Sequence, residues 1–272
     1  MADTVRRTPR PSVTLVGGLV LLLPIVGLAL LLARPALDLT WEHHPSHFWL
    51  VLSAAALSAV LAYGTGVAAL RRGDARVLLV SLAFLSASGF LGLHALATPG
   101  VLLEEANAGF VLATPVGLAL GSVFAAWSAT DLSGERGVRT VRVGRRLRIG
   151  LLALIGLWAV FSVAQVPPLH EQSAPERAEG LLAYLALPAV ALYMVTAVRY
   201  LQLWRRRRSL MLLSMTAAFV LLAEALVAVV FARNWQLSWW EWHVLMLAAF
   251  GLVALGARIQ WHEERYADLY LS

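Results

Sequence analysis

The chain alternates long apolar runs with short polar connections, and the lengths of the runs predict membrane-spanning helices. A helix needs about 20 apolar residues to cross roughly 30 Å of hydrocarbon. Eight runs come close to this length or exceed it: 13–33, 48–70, 77–97, 110–129, 149–167, 181–203, 209–231 and 243–258. We therefore predict an all-α polytopic membrane protein with eight transmembrane helices.

The same pattern divides the chain into three parts. A basic N-terminal segment, 1–12, precedes the membrane domain, 13–258, and a cytoplasmic exit helix or linker, 259–272, follows it. The first apolar run is too long for a signal peptide and lacks a small-residue cleavage site, so we expect a retained helix. The last helix should begin in the Trp-rich WWEW and continue out of the bilayer through ARIQWHEERYADLYLS.

Arginine is distributed very unevenly over the predicted connections. The chain has 22 basic residues, all of them Arg. With eight spans, all but three fall at the termini or in the connections on one side; the exceptions are Arg34, Arg177 and Arg233. Because basic residues are retained in the cytoplasm, both termini are predicted to be cytoplasmic and the protein to lie in the inner (plasma) membrane.

Composition narrows the classes of partner. Hydrophobic residues make up 60% of the chain and charged residues only 14%, which is typical of a membrane protein. The topology explains the basic loops better than a nucleic-acid site does, so nucleic acid is not expected as a partner. The loop predicted at 131–148 is rich in Arg in its second half, which suits contact with anionic membrane lipid. The absence of cysteine excludes disulfides and thiolate metal sites.

Histidine is concentrated on the predicted external side, where six of the seven residues lie. Imidazole and carboxylate are the ligands that a cysteine-free protein uses for zinc or copper. The candidate metal ligands are His43, His44, His47, His94 and His243, and the accompanying carboxylates are Glu104, Glu105, Glu224 and Glu241. We predict an external polar pocket that binds a small ligand or a divalent metal ion.

The stretch HHPSH is by itself a weak metal motif. Pro45 favours a turn ahead of Phe48, and the neighbouring Trp41 and Trp49 also fit histidines that merely sit at the headgroup level. His94 carries more weight because it lies inside an apolar span and must find a polar partner or a ligand. The Trp residues of the last span, Trp235, Trp239, Trp240 and Trp242, have the same alternative role as interfacial anchors.

Two further readings of the buried polar residues stay open. Glu224 lies about two turns inside the seventh span and either bonds to another helix or belongs to the pocket of His94 and His243. A single haem between His94 and His243 is conceivable, but a second deep histidine pair is absent. The sequence therefore favours a metal ion over haem.

No catalytic motif is present: the chain has no GxSxG, HExxH, Walker loop or GxGxxG followed by an acidic residue. The segments GFLGLHALATPGVL, EWHVLMLAAFGLVALGAR and RYADLYLS resemble the N-terminal multi-pass membrane region of bacterial class III adenylate or guanylate cyclases. This resemblance implies a membrane sensor or anchor module, either cut from a longer protein with a cyclase domain beyond residue 272 or standing alone. The residues that a cyclase domain needs are not in this chain, so no cyclase activity is assigned to any residue here.

Two hypotheses of different class follow. The first is a membrane-embedded sensory and dimerisation module that relays binding at the external site through its last helix to a cytoplasmic effector. The second is a metal-dependent membrane hydrolase whose zinc-bound water lies at the external face. A small transporter is disfavoured, because Glu224 is the only acid deep in a span.

The predicted orientation can be tested with single cysteines, since the chain has none of its own. In right-side-out membrane vesicles, a membrane-impermeant maleimide should label Glu105→Cys and leave Arg72→Cys unlabelled until the membrane is permeabilised. Gel-shift detection of the label measures both. Labelling of Arg72→Cys alone before permeabilisation would mean that the orientation is reversed.

Overall fold

A computed structural model describes residues 11–96, 98, 100–102, 104–105, 107–171 and 179–271, without the side chains of 11–16, 179, 181 and 263–271. The secondary structure of this part of the chain is helical, and an isolated bridge joins two of its connections. The helices are α1 (Pro11–Ala33), α2 (His44–Arg72), α3 (Ala75–Leu96), α4 (Ala108–Ser128), α5 (Gly134–Val163), α6 (Glu179–Arg207), α7 (Leu210–Phe231) and α8 (Leu237–Leu271).

Seven helices, α2 to α8, are long and apolar enough to cross a membrane, so this is a multi-pass membrane protein. In α1 the described apolar part, Gly17–Ala33, is shorter than the 18 residues of a full span. The predicted all-α class is confirmed. The eighth crossing and the cytoplasmic position of both termini stay predictions.

The segment predicted as a loop at 131–148 is instead mostly helix, because α5 already begins at Gly134. Small residues at Gly137, Thr140 and Gly144 are buried on one side of this stretch. A Cβ on Gly144 would lie 2.7 Å from Leu78 Cδ2, so a larger residue here would force the Leu78 side chain to move. The arginines occupy the other faces, and the segment is thus an amphipathic extension of a membrane helix.

The helix α3 lies at the centre and packs against α2, α4 and α5, while α8 packs against α7 and α2. Leu78, Leu82 and Phe90 of α3 are fully buried. Close approach of α4 depends on Gly117, where a Cβ would lie 2.5 Å from Phe90 Cβ. Small residues let membrane helices pack closely where water supplies no driving force. The first turn of α2, the last turn of α3 and the start of α8 meet at one end of the bundle.

The prediction for the last helix is confirmed in its extent. The helix begins two residues before WWEW and runs for 35 residues to Leu271. At about 1.5 Å per residue it is about 52 Å long, well beyond the thickness of the hydrocarbon core. One helix therefore connects the Trp-rich end with the C-terminal region.

The connection between α1 and α2 is tied to the start of α8, and we call this contact the strap. The buried carboxylate of Asp38 accepts hydrogen bonds from the Ser238 backbone N–H and hydroxyl, each 2.8 Å long. Trp41 N–H donates to the Trp235 carbonyl at 2.7 Å, and a bridge joins Thr40 to Gln236. The strap fixes the ends of α2 and α8 relative to each other.

Breaking the strap should destabilise the protein. Asp38→Asn replaces one acceptor oxygen by an N–H donor that faces the Ser238 hydroxyl or N–H, at an expected cost of about 1–3 kcal/mol. The measurement is thermal unfolding in detergent. The matched control is Glu42→Gln, a change at an exposed carboxylate that bonds only His44 at the surface. Equal melting temperatures for the two variants would contradict the role of Asp38.

Candidate metal centre

His47 lies in the first turn of α2 and points into the bundle. The prediction that Pro45 holds this stretch in a turn ahead of Phe48 is wrong, because α2 already begins at His44. Proline fits the first helical turn, where its missing N–H needs no partner, and His43 caps the helix by accepting from the Ser46 N–H. His47 is consequently 4% exposed, and its Nδ1 lies 2.9 Å from the Thr98 hydroxyl.

His94 comes from the last turn of α3. Its Nδ1 lies 3.3 Å from the carbonyl oxygen of Phe110, in the first turn of α4. Asn107 fixes that turn by accepting from the Phe110 N–H and donating to the Ser162 carbonyl. The other ring nitrogen of His94, Nε2, is buried without a hydrogen-bond partner. The sequence-based expectation of a polar partner for His94 is met on one side of the ring only.

His243 comes from the second turn of α8 and is 1% exposed. Its Nδ1 lies 3.0 Å from the carbonyl oxygen of Trp239, one turn earlier in the same helix. The indole of Trp242 stacks on the imidazole, with ring centroids 3.4 Å apart. The remaining nitrogen, Nε2, lies 3.1 Å from Nε2 of His47.

The three histidines thus converge from three helices and form a group that could hold a metal ion. One ligand nitrogen from each ring lies within 4.8 Å of the other two. Tetrahedral zinc with nitrogens at about 2.0–2.1 Å requires nitrogen pairs about 3.3 Å apart. The Nε2 atoms of His47 and His243 lie 3.1 Å apart, close to this distance.

The other nitrogen of each ring, Nδ1, lies within hydrogen-bond distance of an oxygen atom. The partners are the Phe110 carbonyl for His94, the Trp239 carbonyl for His243 and the Thr98 hydroxyl for His47. This is the usual arrangement around a metal-binding histidine, where a carbonyl or carboxylate fixes the ring and its tautomer. We call His47, His94 and His243 the histidine triad. These three hydrogen-bond partners of Nδ1 could not be predicted from the sequence. The one hint is that Thr98 follows His94 by four residues.

Tryptophan rings of α8 surround the triad on one side. The rings of Trp239 and Trp240 lie 4.9 and 6.3 Å from His47, between centroids, and Trp242 covers His243. Trp240 and Trp242 are buried, so they line the site, whereas Trp41 and Trp49 are exposed as interfacial anchors would be. A haem between His94 and His243 would have to displace His47, whose ring lies 5.3 and 4.8 Å from theirs.

The other candidate residues lie apart from the triad's hydrogen bonds. His43 bonds Ser46 and His44 bonds Glu42, both at the surface, and Glu104 and Glu105 are exposed. Glu241 is half-buried on α8. Glu224 on α7 is 8% exposed, and its Oε2 has no hydrogen-bond partner. Among the described residues, no carboxylate bonds to a triad histidine.

Comparison of the chain with protein-family models, with curated proteins and with solved structures finds no match. The resemblance to the membrane region of bacterial cyclases therefore has no support from these comparisons. The geometry of the triad is therefore the observation on which a functional proposal can rest.

Proposed function

We propose that the protein is a membrane-embedded signalling module that binds one zinc or copper ion through Nε2 of His47, His94 and His243. The observation that carries this proposal is the orientation of the rings. Each Nδ1 faces an oxygen atom, and one ligand nitrogen of each ring lies near those of the other two. Such a set of donors suits a divalent ion that favours imidazole.

The metal would also satisfy the buried nitrogens. Without a ligand, the Nε2 atoms of His47 and His243 share one hydrogen bond, and Nε2 of His94 has none. A buried polar atom without a partner costs about 1–3 kcal/mol. One ion replaces this unfavourable arrangement by three coordinate bonds.

The proposed route of the signal is α8. His243 lies near one end of this helix, and the same helix continues without a break to Leu271. Drawing His243 towards His47 and His94 would shift α8 against α2 and α3. The proposed recipients are a cytoplasmic effector and a second copy of the chain, with the Arg-rich part of α5 lying against anionic lipid.

Metal binding can be measured directly on the full chain purified in detergent. After loading with Zn²⁺ or Cu²⁺ and desalting, elemental analysis should find about one ion per chain. His47→Gln, His94→Gln and His243→Gln should each weaken binding by more than about 100-fold, since second-shell losses alone cost 10–100-fold. Quenching of tryptophan fluorescence by Cu²⁺ gives a local reading, because Trp242 stacks on His243.

The matched control is His44→Gln, which removes an imidazole at the surface within one turn of His47 and leaves the His43 cap intact. This variant should bind Zn²⁺ and Cu²⁺ as tightly as the original protein does. Absence of bound metal in the original protein, or equal loss in the control, would overturn the proposed site.

The signalling step has its own test, because it can fail while metal still binds. Arg72→Cys at the end of α2 and Arg258→Cys on α8 are both exposed and can carry spin labels. Metal should change their separation by about 1–2 Å, the usual size of helix shifts in switching proteins. Pulsed electron paramagnetic resonance measures the distance, with His94→Gln as background control. Identical distance distributions with and without metal would contradict transmission through α8.

A further inference from the structure

The hydrogen-bond partners determine the tautomers of two triad histidines. A carbonyl oxygen only accepts, so the nitrogen that faces it must carry the proton. Nδ1 therefore carries the proton in His94, which faces the Phe110 carbonyl, and in His243, which faces the Trp239 carbonyl. In the neutral rings Nε2 then has a free lone pair, ready to bind a metal.

His47 must have the opposite tautomer. Its Nε2 lies 3.1 Å from Nε2 of His243, and because that atom has only a lone pair, His47 has to donate. The proton of neutral His47 is consequently on Nε2, and its Nδ1 accepts from the Thr98 hydroxyl at 2.9 Å. In this hydrogen bond the proton of His47 blocks its own Nε2, and the lone pair of His243 Nε2 is engaged as the acceptor, so neither atom is free to bind a metal ion.

Metal binding requires His47 to change tautomer. The proton leaves Nε2, whose lone pair then coordinates the ion, and a proton is placed on Nδ1. No net proton is taken up or released. The Nδ1–H now needs an acceptor, and the atom in position is Oγ1 of Thr98, because a hydroxyl can donate or accept after a rotation.

Burial and two backbone hydrogen bonds hold Thr98 in place. It is 2% exposed, its N–H donates to the Ala95 carbonyl, and its carbonyl accepts from the Val101 N–H, both at 3.1 Å. The side chain is thus fixed at the end of α3, opposite the first turn of α2. A carbonyl in its place could only accept, and the metal-free hydrogen bond of His47 would then be lost.

We propose that Thr98 is a positioning residue that lets His47 exchange its tautomer, so that a metal ion enters by replacing the hydrogen bond between His47 and His243. The proposal rests on the metal site proposed above. In this proposal the His47–His243 hydrogen bond stabilises the metal-free state and has to break before a metal ion binds.

Two substitutions at Thr98 test the proposal through metal affinity. Thr98→Val keeps the shape and removes the hydroxyl, and Thr98→Ser keeps the hydroxyl. A hydrogen bond from a metal-bound imidazole is charge-assisted and hence stronger than its metal-free counterpart. Thr98→Val should therefore weaken Co²⁺ or Zn²⁺ binding by about 10–100-fold, and Thr98→Ser should restore affinity to within about threefold of the original protein.

The visible absorption of bound Co²⁺ measures this affinity and also reports coordination geometry, which separates an effect at the site from a general loss of folding. Thermal unfolding of the metal-free variants provides the folding control. Thr98→Val binding as tightly as the original protein, while His47→Gln loses the metal, would overturn the role of Thr98 and leave the metal site intact. Absence of Co²⁺ and Zn²⁺ binding in the original protein would overturn both.

Nitrogen-15 spectra of histidine-labelled protein test the tautomer exchange itself. Without metal, His47 should carry its proton on Nε2, and with Zn²⁺ all three triad rings should carry it on Nδ1. His47→Gln identifies the signal, and His262, far along α8, provides an internal reference. A His47 ring that already carries its proton on Nδ1 without metal would contradict the exchange.

Discussion

The rest of the site depends on one constraint: each imidazole buried in an apolar bundle has two ring nitrogens, and both need a partner. A solvated histidine finds water, but His47 and His243 are almost fully buried among tryptophan rings and helix backbone. Backbone carbonyls and one hydroxyl supply a partner for each Nδ1. The Nε2 atoms of His47 and His243 share one hydrogen bond, and Nε2 of His94 has no partner; the proposed metal ion would bind all three.

The fold meets this constraint with helix ends. The first turn of α2, the last turn of α3 and the second turn of α8 deliver the three rings, and the first turn of α4 supplies the carbonyl for His94. Small residues such as Gly117 let the helices approach closely. The strap from Asp38 to Ser238 fixes the ends of α2 and α8. Helix packing and the hydrogen bonds of buried polar groups therefore both position residues at the same end of the bundle.

The lengths of the apolar runs were enough to predict where the helices lie, because membrane helices must be long and apolar. It missed the helical start of α5, where the apolar face is made of glycine and threonine and carries little hydropathy signal. Clustering of histidine on the predicted external side pointed to His94 and His243, yet it could not separate His47 from His43 and His44. That choice depends on which residue caps α2, and the partners of Nδ1 depend on tertiary contacts such as Thr98 to His47, 51 residues apart.

A metal ion held by the triad, as proposed, would account for the buried histidines, the unpaired Nε2 of His94 and the enclosing tryptophans together. X-ray absorption spectroscopy of the zinc-loaded protein tests this central claim most directly. The account predicts three imidazole nitrogens at about 2.0–2.1 Å from zinc, with one lost in His243→Gln. A spectrum with oxygen ligands alone, or an imidazole count that does not change in that variant, would contradict it.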